Sequence, residues 1–204
     1  MENGIAAGHG RDLAGDFHWL MASASLAILI GILLVPTAQR VFSAAIGSMK
    51  TRPSVSRILL RGISPAGLRL LRDAAVMPSA DHLQTVARPK RTLWPMLAAN
   101  AVAQALLIVG VFASLYAGYL DPTYRVTASQ LSAVINGVAT ILLFAFIDPH
   151  LSVLTDDVID GKMAEGEFRQ VIVWISVSRL VGSLAAQALF LPAAWLVARI
   201  AAAI

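Results

Sequence analysis

Four apolar segments of membrane length, separated by one strongly basic and one acidic stretch, predict an all-α membrane protein with about four transmembrane helices. The first observation behind this is a shortage of charge. Only 14% of the 204 residues are charged and 57% are hydrophobic, with a mean hydropathy of +0.72, whereas soluble domains carry about 25% charged residues. A larger core cannot absorb the difference, because a chain of this size still exposes roughly a third of the surface its unfolded form would. The second observation is that Lys and Arg cluster between apolar runs, so their distribution says more than the net charge of +4. Third, there is no cysteine, which removes disulfides and thiolate metal sites from consideration. The basic residues abut apolar spans and form no reading motif, which disfavours a nucleic-acid partner.

The chain begins with a polar, glycine-rich tail, residues 1–16. It lacks the charged n-region, short apolar core and small-residue site of a cleaved signal peptide. Residues 17–39 contain no Asp, Glu, Lys or Arg and are long enough for a helix to cross roughly 30 Å of hydrocarbon. Trp19 suits an interface at one end, and Pro36 is expected to kink or end the helix.

Residues 40–92 have a different character. Between Val41 and Thr92, Lys50, Arg52, Arg57, Arg61, Arg69, Arg72, Arg88, Lys90 and Arg91 face only two acids, Asp73 and Asp81. Ser64–Pro65 ahead of AGLRLLRDAA reads as an N-cap with proline in the first turn, and Pro78–Asp81 restarts a second short segment. Short amphipathic helices lying in the interface are expected here, with Arg57, Arg61, Arg69 and Arg72 as candidates for contact with lipid headgroups. A solvated basic loop is the plainer reading.

The second span, 93–120, is uncharged and carries Asn100 and Gln104 on one face. The short turn at 120–125 returns the chain antiparallel into the third span, 126–147, expected to end at Asp148–Pro149. Ser129, Ser132, Asn136 and Thr140 share one face of it. Such stripes commonly cement helix pairs in lipid; lining a polar cavity is the alternative. An acidic loop, 148–169, precedes the fourth span, 170–198, where Ser176, Arg179, Ser183 and Gln187 repeat the same spacing. The basic loop places 40–92 in the cytoplasm, with the acidic loop on the same side and both termini outside.

Arg179 stands out because guanidinium keeps its proton and has to face protein, water or an anion. A structural ion pair, for instance with Asp148, is one reading. Bidentate recognition of a phosphate is the other. Asp156, Asp157 and Asp160 formally match DDxxD, the Mg²⁺–diphosphate motif of prenyltransferases, and are weak metal candidates. No second aspartate-rich motif accompanies them, and no carboxylate follows Glu167. DGKMAE (160–165) approaches the opening of the CDP-alcohol phosphotransferase motif, with Glu165 in place of its arginine. There is no nucleophile elbow, HExxH or P-loop, and the four histidines have no ligand spacing.

Residues 115–197 resemble the alternate lipid II flippase (Amj) family. The most specific pieces are YAGYLDP, ASQLSAVINGVATILLF, FIDPHLS and the series TDDVIDGK…FR…SR…G…AQ. VPTAQRVFSAAI (35–46) and LLRGISPAGLRLLRDAAVMPS (59–79) extend the match more weakly. The resemblance implies a multi-pass protein of the bacterial cytoplasmic membrane that moves an undecaprenyl-pyrophosphate-linked peptidoglycan precursor and needs no cofactor. Arg179, Asn136, Thr140 and Gln187 would line the headgroup route if the third and fourth helices face each other, with Asp148 a further substrate-binding candidate. The basic loop would collect the headgroup. Family members are usually longer before the first span, which leaves a homo-oligomer or a partner chain to complete the route. Two other classes compete: a Mg²⁺-dependent polyprenyl-phosphate enzyme using the aspartates, and a non-transporting membrane scaffold or accessory subunit.

Overall fold

The computed structural model describes residues 13–49 and 89–204. Residues 1–12 of the predicted tail at 1–16, the predicted interfacial helices, and Arg57, Arg61, Arg69 and Arg72 lie outside the described residues, whereas residues 13–16 of that tail are already helical. Among those described there is no strand, and the all-α membrane class is what the structure shows: four helical runs are long and apolar enough to cross a bilayer, Leu13–Thr37, Arg91–Leu120, Pro122–Ile159 and Gly166–Ala203. The helices are α1 (Leu13–Met49), α2 (Trp94–Leu120), α3 (Arg125–Leu142), α4 (Asp148–Ile159) and α5 (Glu165–Ala203).

The chain divides into two compact units, at Ile28/Leu29 and at Arg88/Pro89. The described part of the smaller unit is the second half of α1. The helix there runs through Pro36 to Met49, so proline neither ends it nor marks its last turn. Leu29, Ile30, Leu33 and Leu34 are exposed on it, as expected of side chains whose solvent is lipid.

In the larger unit α2 is the central helix, and α3 and α5 both pack along it, while α3 and α5 meet each other much less. Three apolar clusters hold this arrangement. Phe17 and Met21 of α1 enter between Ala105, Ile108, Val109 and Ala113 of α2 and Ala186, Phe190 and Ala194 of α5. Met96 and Leu97 meet Ile147, Val171 and Ile175 near the start of α2. Ala117, Ala128, Val197 and Ala201 close the opposite end. Lipid tails are as apolar as leucine, so close backbone approach replaces the hydrophobic effect as the source of adhesion. Gly182 shows it: a Cβ there would collide with the backbone carbonyl oxygen of Ala101 and lie 2.9 Å from Gln104 Cβ. At Gly110 it would fall 2.5 Å from Asn136 Oδ1 and 2.9 Å from Ile135 Cγ2. These two glycines set the α2–α5 and α2–α3 spacings.

Two connections carry local signatures. Asp121 Oδ1 accepts from Thr123 N at 3.0 Å, opening a 3₁₀ turn, Pro122–Tyr124, that leads into α3. Arg125 Nε donates to Gly118 O at 3.3 Å and ties the turn back to α2. The third run does not stop at Asp148–Pro149 as expected. It passes through a π turn, Leu143–Ile147, and continues as α4. The π turn precedes Pro149, which then falls in the first turn of α4. Most of the expected acidic loop is therefore helix. The real break is at Gly161, the only described residue with positive φ, +70°. There Gly161 N bonds Val158 O and Lys162 N bonds Asp157 O, the paired closure of a glycine-terminated helix.

Candidate functional site

Polar side chains at membrane depth are few, and the structure sorts them into satisfied and unsatisfied sets. On α5, Ser176 Oγ donates to Ile172 O at 2.9 Å and Ser183 Oγ donates to Leu180 O at 2.8 Å. Both hydroxyls are thus absorbed by their own helix. Gln187 Nε2 donates to Ser25 Oγ at 2.9 Å, and Ser25 in turn donates to Met21 O. That places Gln187 against α1.

Arg179 differs from its neighbours on the stripe. It is exposed on α5, and among the described residues it has neither an ion pair nor a hydrogen-bond partner. The ion pair with Asp148 considered from the sequence does not form. Asp148 is exposed at the start of α4. Arg179 lies ten residues past Arg169, about 15 Å along the helix. The spans at 17–39, 93–120, 126–147 and 170–198 contain no Asp or Glu, and Arg179 is their single Lys or Arg.

On α3, Thr140 is exposed and donates to Asn136 O at 2.8 Å. Asn136 is half-buried, its Oδ1 packed towards Gly110 of α2 and without a hydrogen-bond partner. Asn136 therefore faces the central helix. The sequence-predicted residues are not brought into one cluster: Asn136 sits at the α2–α3 seam, Gln187 at the α1–α5 seam, and Arg179 on an open face of α5.

One polar site went unpredicted. Asn100, 1% exposed, donates through Nδ2 to Ile175 O at 3.1 Å and to Ser178 Oγ at 2.7 Å, bridging α2 to α5. Its Oδ1 is buried and has no partner among the described residues. An amide in an apolar span was the available signal; its serine partner, off the predicted stripe, was not recognisable by spacing.

The aspartates of the DDxxD match lie at the end of α4. Among the described residues no three His, Cys, Asp or Glu side chains come close enough to share a metal ion. Asp160 Oδ2 instead pairs with Lys162 Nζ at 2.8 Å, and the backbone carbonyl of Asp157 accepts from Lys162 N and Met163 N. These residues close a helix end. At the cytoplasmic end expected from the basic loop, Lys90 Nζ pairs with Glu167 Oε1 at 3.3 Å, joining the approaches to α2 and α5.

A family model described as "Amj: Alternate to MurJ" matches residues 1–201. The chain is 33% identical over 189 residues to the "Lipid II flippase Amj" of Bacillus subtilis (strain 168), a match spanning 90% of this chain and 68% of that relative. No solved structure matches the chain.

Proposed function

Since the chain belongs to the Amj family, matched over residues 1–201, we propose that it moves an undecaprenyl-pyrophosphate-linked peptidoglycan precursor, lipid II, across the bacterial cytoplasmic membrane. The name of its Bacillus subtilis relative, a lipid II flippase, supports this reading. The observation that carries the residue-level reading is Arg179. A fixed guanidinium inside a span costs about 2.5–3.5 kcal/mol on insertion scales. Among the described residues it has no ion-pair partner to offset that cost. A diphosphate carried into the membrane on a lipid fits that charge, and the guanidinium fork suits phosphate oxygens.

In the mechanism that follows, the polyprenyl tail stays in the bilayer while the headgroup crosses along the Arg179 face of α5. Arg179 holds the diphosphate part-way, lowering the cost of its desolvation. Ser176, partly exposed on the same helix, presents its hydroxyl oxygen as a further acceptor for headgroup donors. Gln187 joins the path when its bond to Ser25 opens. Asn136 and Thr140, on α3 with α2 between it and this face, are not assigned to the route. The chain has no nucleotide-binding loop, so ATP hydrolysis is not assigned to it. The cytoplasmic side is that of the basic loop 40–92, whose Arg57, Arg61, Arg69 and Arg72 collect the headgroup.

The test is rescue of cells depleted of their essential lipid II flippase, with membrane expression measured in parallel. Rescue by the parent chain, lost in Arg179→Ala and retained in Asp156→Ala/Asp160→Ala, is the expected pattern. Loss in the aspartate variant with retention in Arg179→Ala would move the reading to a metal-dependent polyprenyl-phosphate enzyme. Cysteines near residues 60 and 122 should label from the inside and the outside respectively, and the reverse would overturn the orientation.

A further inference from the structure

An exposed cationic and aromatic face lies at the start of α2. Pro89, Arg91, Trp94, Pro95 and Ala98 line an open groove of about 750 Å³. Arg91, Trp94, Pro95 and Ala98 fall at i, i+3, i+4 and i+7, so they form one face of the helical approach. All four are exposed, Trp94 at 57%, while Met96, Leu97 and Asn100 on the other face are buried. From Arg91 to Ala98 is about 10 Å along the axis, comparable to the roughly 5–8 Å headgroup layer of one leaflet plus the first part of its chains. The face is graded accordingly: a cation at the top, an indole at the level where indoles prefer to sit, then proline and alanine.

Among the described residues the charge of the groove is uncompensated. Lys90 is engaged by Glu167, but among the described residues Arg91 has no ion pair or hydrogen-bond partner. The first turn of α2 contains no acid, and its N-cap position supplies no side-chain bond. A single guanidinium makes one fork, which matches one phosphodiester; a diphosphate would leave half of its charge unmet there.

We propose that Arg91, Trp94, Pro95 and Ala98 form a retained-lipid site for an anionic phospholipid, with the phosphodiester on the Arg91 guanidinium, the glycerol region against the Trp94 indole and an acyl chain over Pro95 and Ala98. This site is separate from Arg179 and does not depend on what the chain transports.

Native mass spectrometry of the full-length protein, purified in detergent and titrated with phosphatidylglycerol or phosphatidylcholine, tests it. One phosphatidylglycerol is retained in preference to phosphatidylcholine. Arg91→Ala weakens that retention about fivefold, the change expected for losing one interfacial cation. Arg91→Lys weakens it less, and Arg179→Ala and Arg199→Ala leave it unchanged. Equal retention of the two lipids, or unchanged retention in Arg91→Ala, overturns the proposal. A short-chain polyprenyl diphosphate is added as competitor. No displacement of phosphatidylglycerol is expected, and displacement lost with Arg91→Ala would make the groove a diphosphate-capture site instead. Melting temperatures of each variant in phosphatidylcholine separate loss of binding from loss of fold: Arg91→Lys, which keeps the charge, decides the question if Arg91→Ala is unstable.

Discussion

Ser178 and Arg179 are adjacent on α5, yet the structure treats them in opposite ways. Ser178 is buried, with its oxygen 2.7 Å from Asn100 Nδ2 and 2.8 Å from its own helix carbonyl at Ile175. Arg179 is exposed and unpaired among the described residues. A polar group that cements helices in lipid is small and finds its partners within the fold. A polar group that serves a ligand leaves its strongest bonding capacity unspent until the ligand arrives. One turn of α5 contains both, which separates the assembly of the protein from its proposed work.

The largest expected effect breaks that contrast on the functional side. Arg179→Ala should reduce transport by about 10- to 150-fold, the range for losing a hydrogen bond to a charged group. It should leave thermal stability in detergent unchanged or raised, since an unpaired charge is removed. A drop in melting temperature as large as the drop in transport would return Arg179 to a structural role. Next comes Gly182→Val, on the assembly side of the same helix. Its side chain would meet the carbonyl of Ala101 and the side chain of Gln104, forcing α2 and α5 apart. Overpacking of this kind costs about 1–3 kcal/mol, readable as a lower melting temperature and as a loss of transport only in proportion to it.

What could be read from the residues follows the same division. Span number and helical class were legible because hydropathy and charge placement are summed over many residues. Helix ends were less so. Asp148–Pro149 looked like a terminator, but a π turn at Leu143–Ile147 precedes the proline and lets the helix run on to Ile159. Pro36 likewise stayed inside its helix. Spacing found the residues of the α5 stripe but could not find their neighbours. Gln187 and Ser25 are 162 positions apart and Asn100 and Ser178 are 78 apart, and such pairings depend on which helix lies in the middle. The equal spacing on the third and fourth spans suggested two facing stripes, whereas α2 lies along both. The aspartates at 156, 157 and 160 matched a metal motif as letters, but their spacing is also that of a helix end closed by Gly161.

The smaller effects sharpen the contrast by testing whether satisfied polar groups are structural only. Asn100→Ala removes two donor contacts and leaves Ser178 with its own-helix bond. Interhelical bonds in membranes average about 0.6 kcal/mol with a maximum near 1.7, so a loss of about 1 kcal/mol is expected, with transport falling no further than stability does. Asn100→Leu should recover part of it, because the orphaned Oδ1 disappears along with the bonds. Gln187→Ala removes a single contact to Ser25, and the stability change should be about 0.6 kcal/mol. Its transport reading is the more discriminating one. If Gln187 only fastens α1 to α5, Ser25→Ala will reproduce the variant in both measurements. If Gln187 also meets the headgroup once that bond opens, Gln187→Ala will slow transport beyond Ser25→Ala at equal stability, because only the glutamine change removes a group from the path.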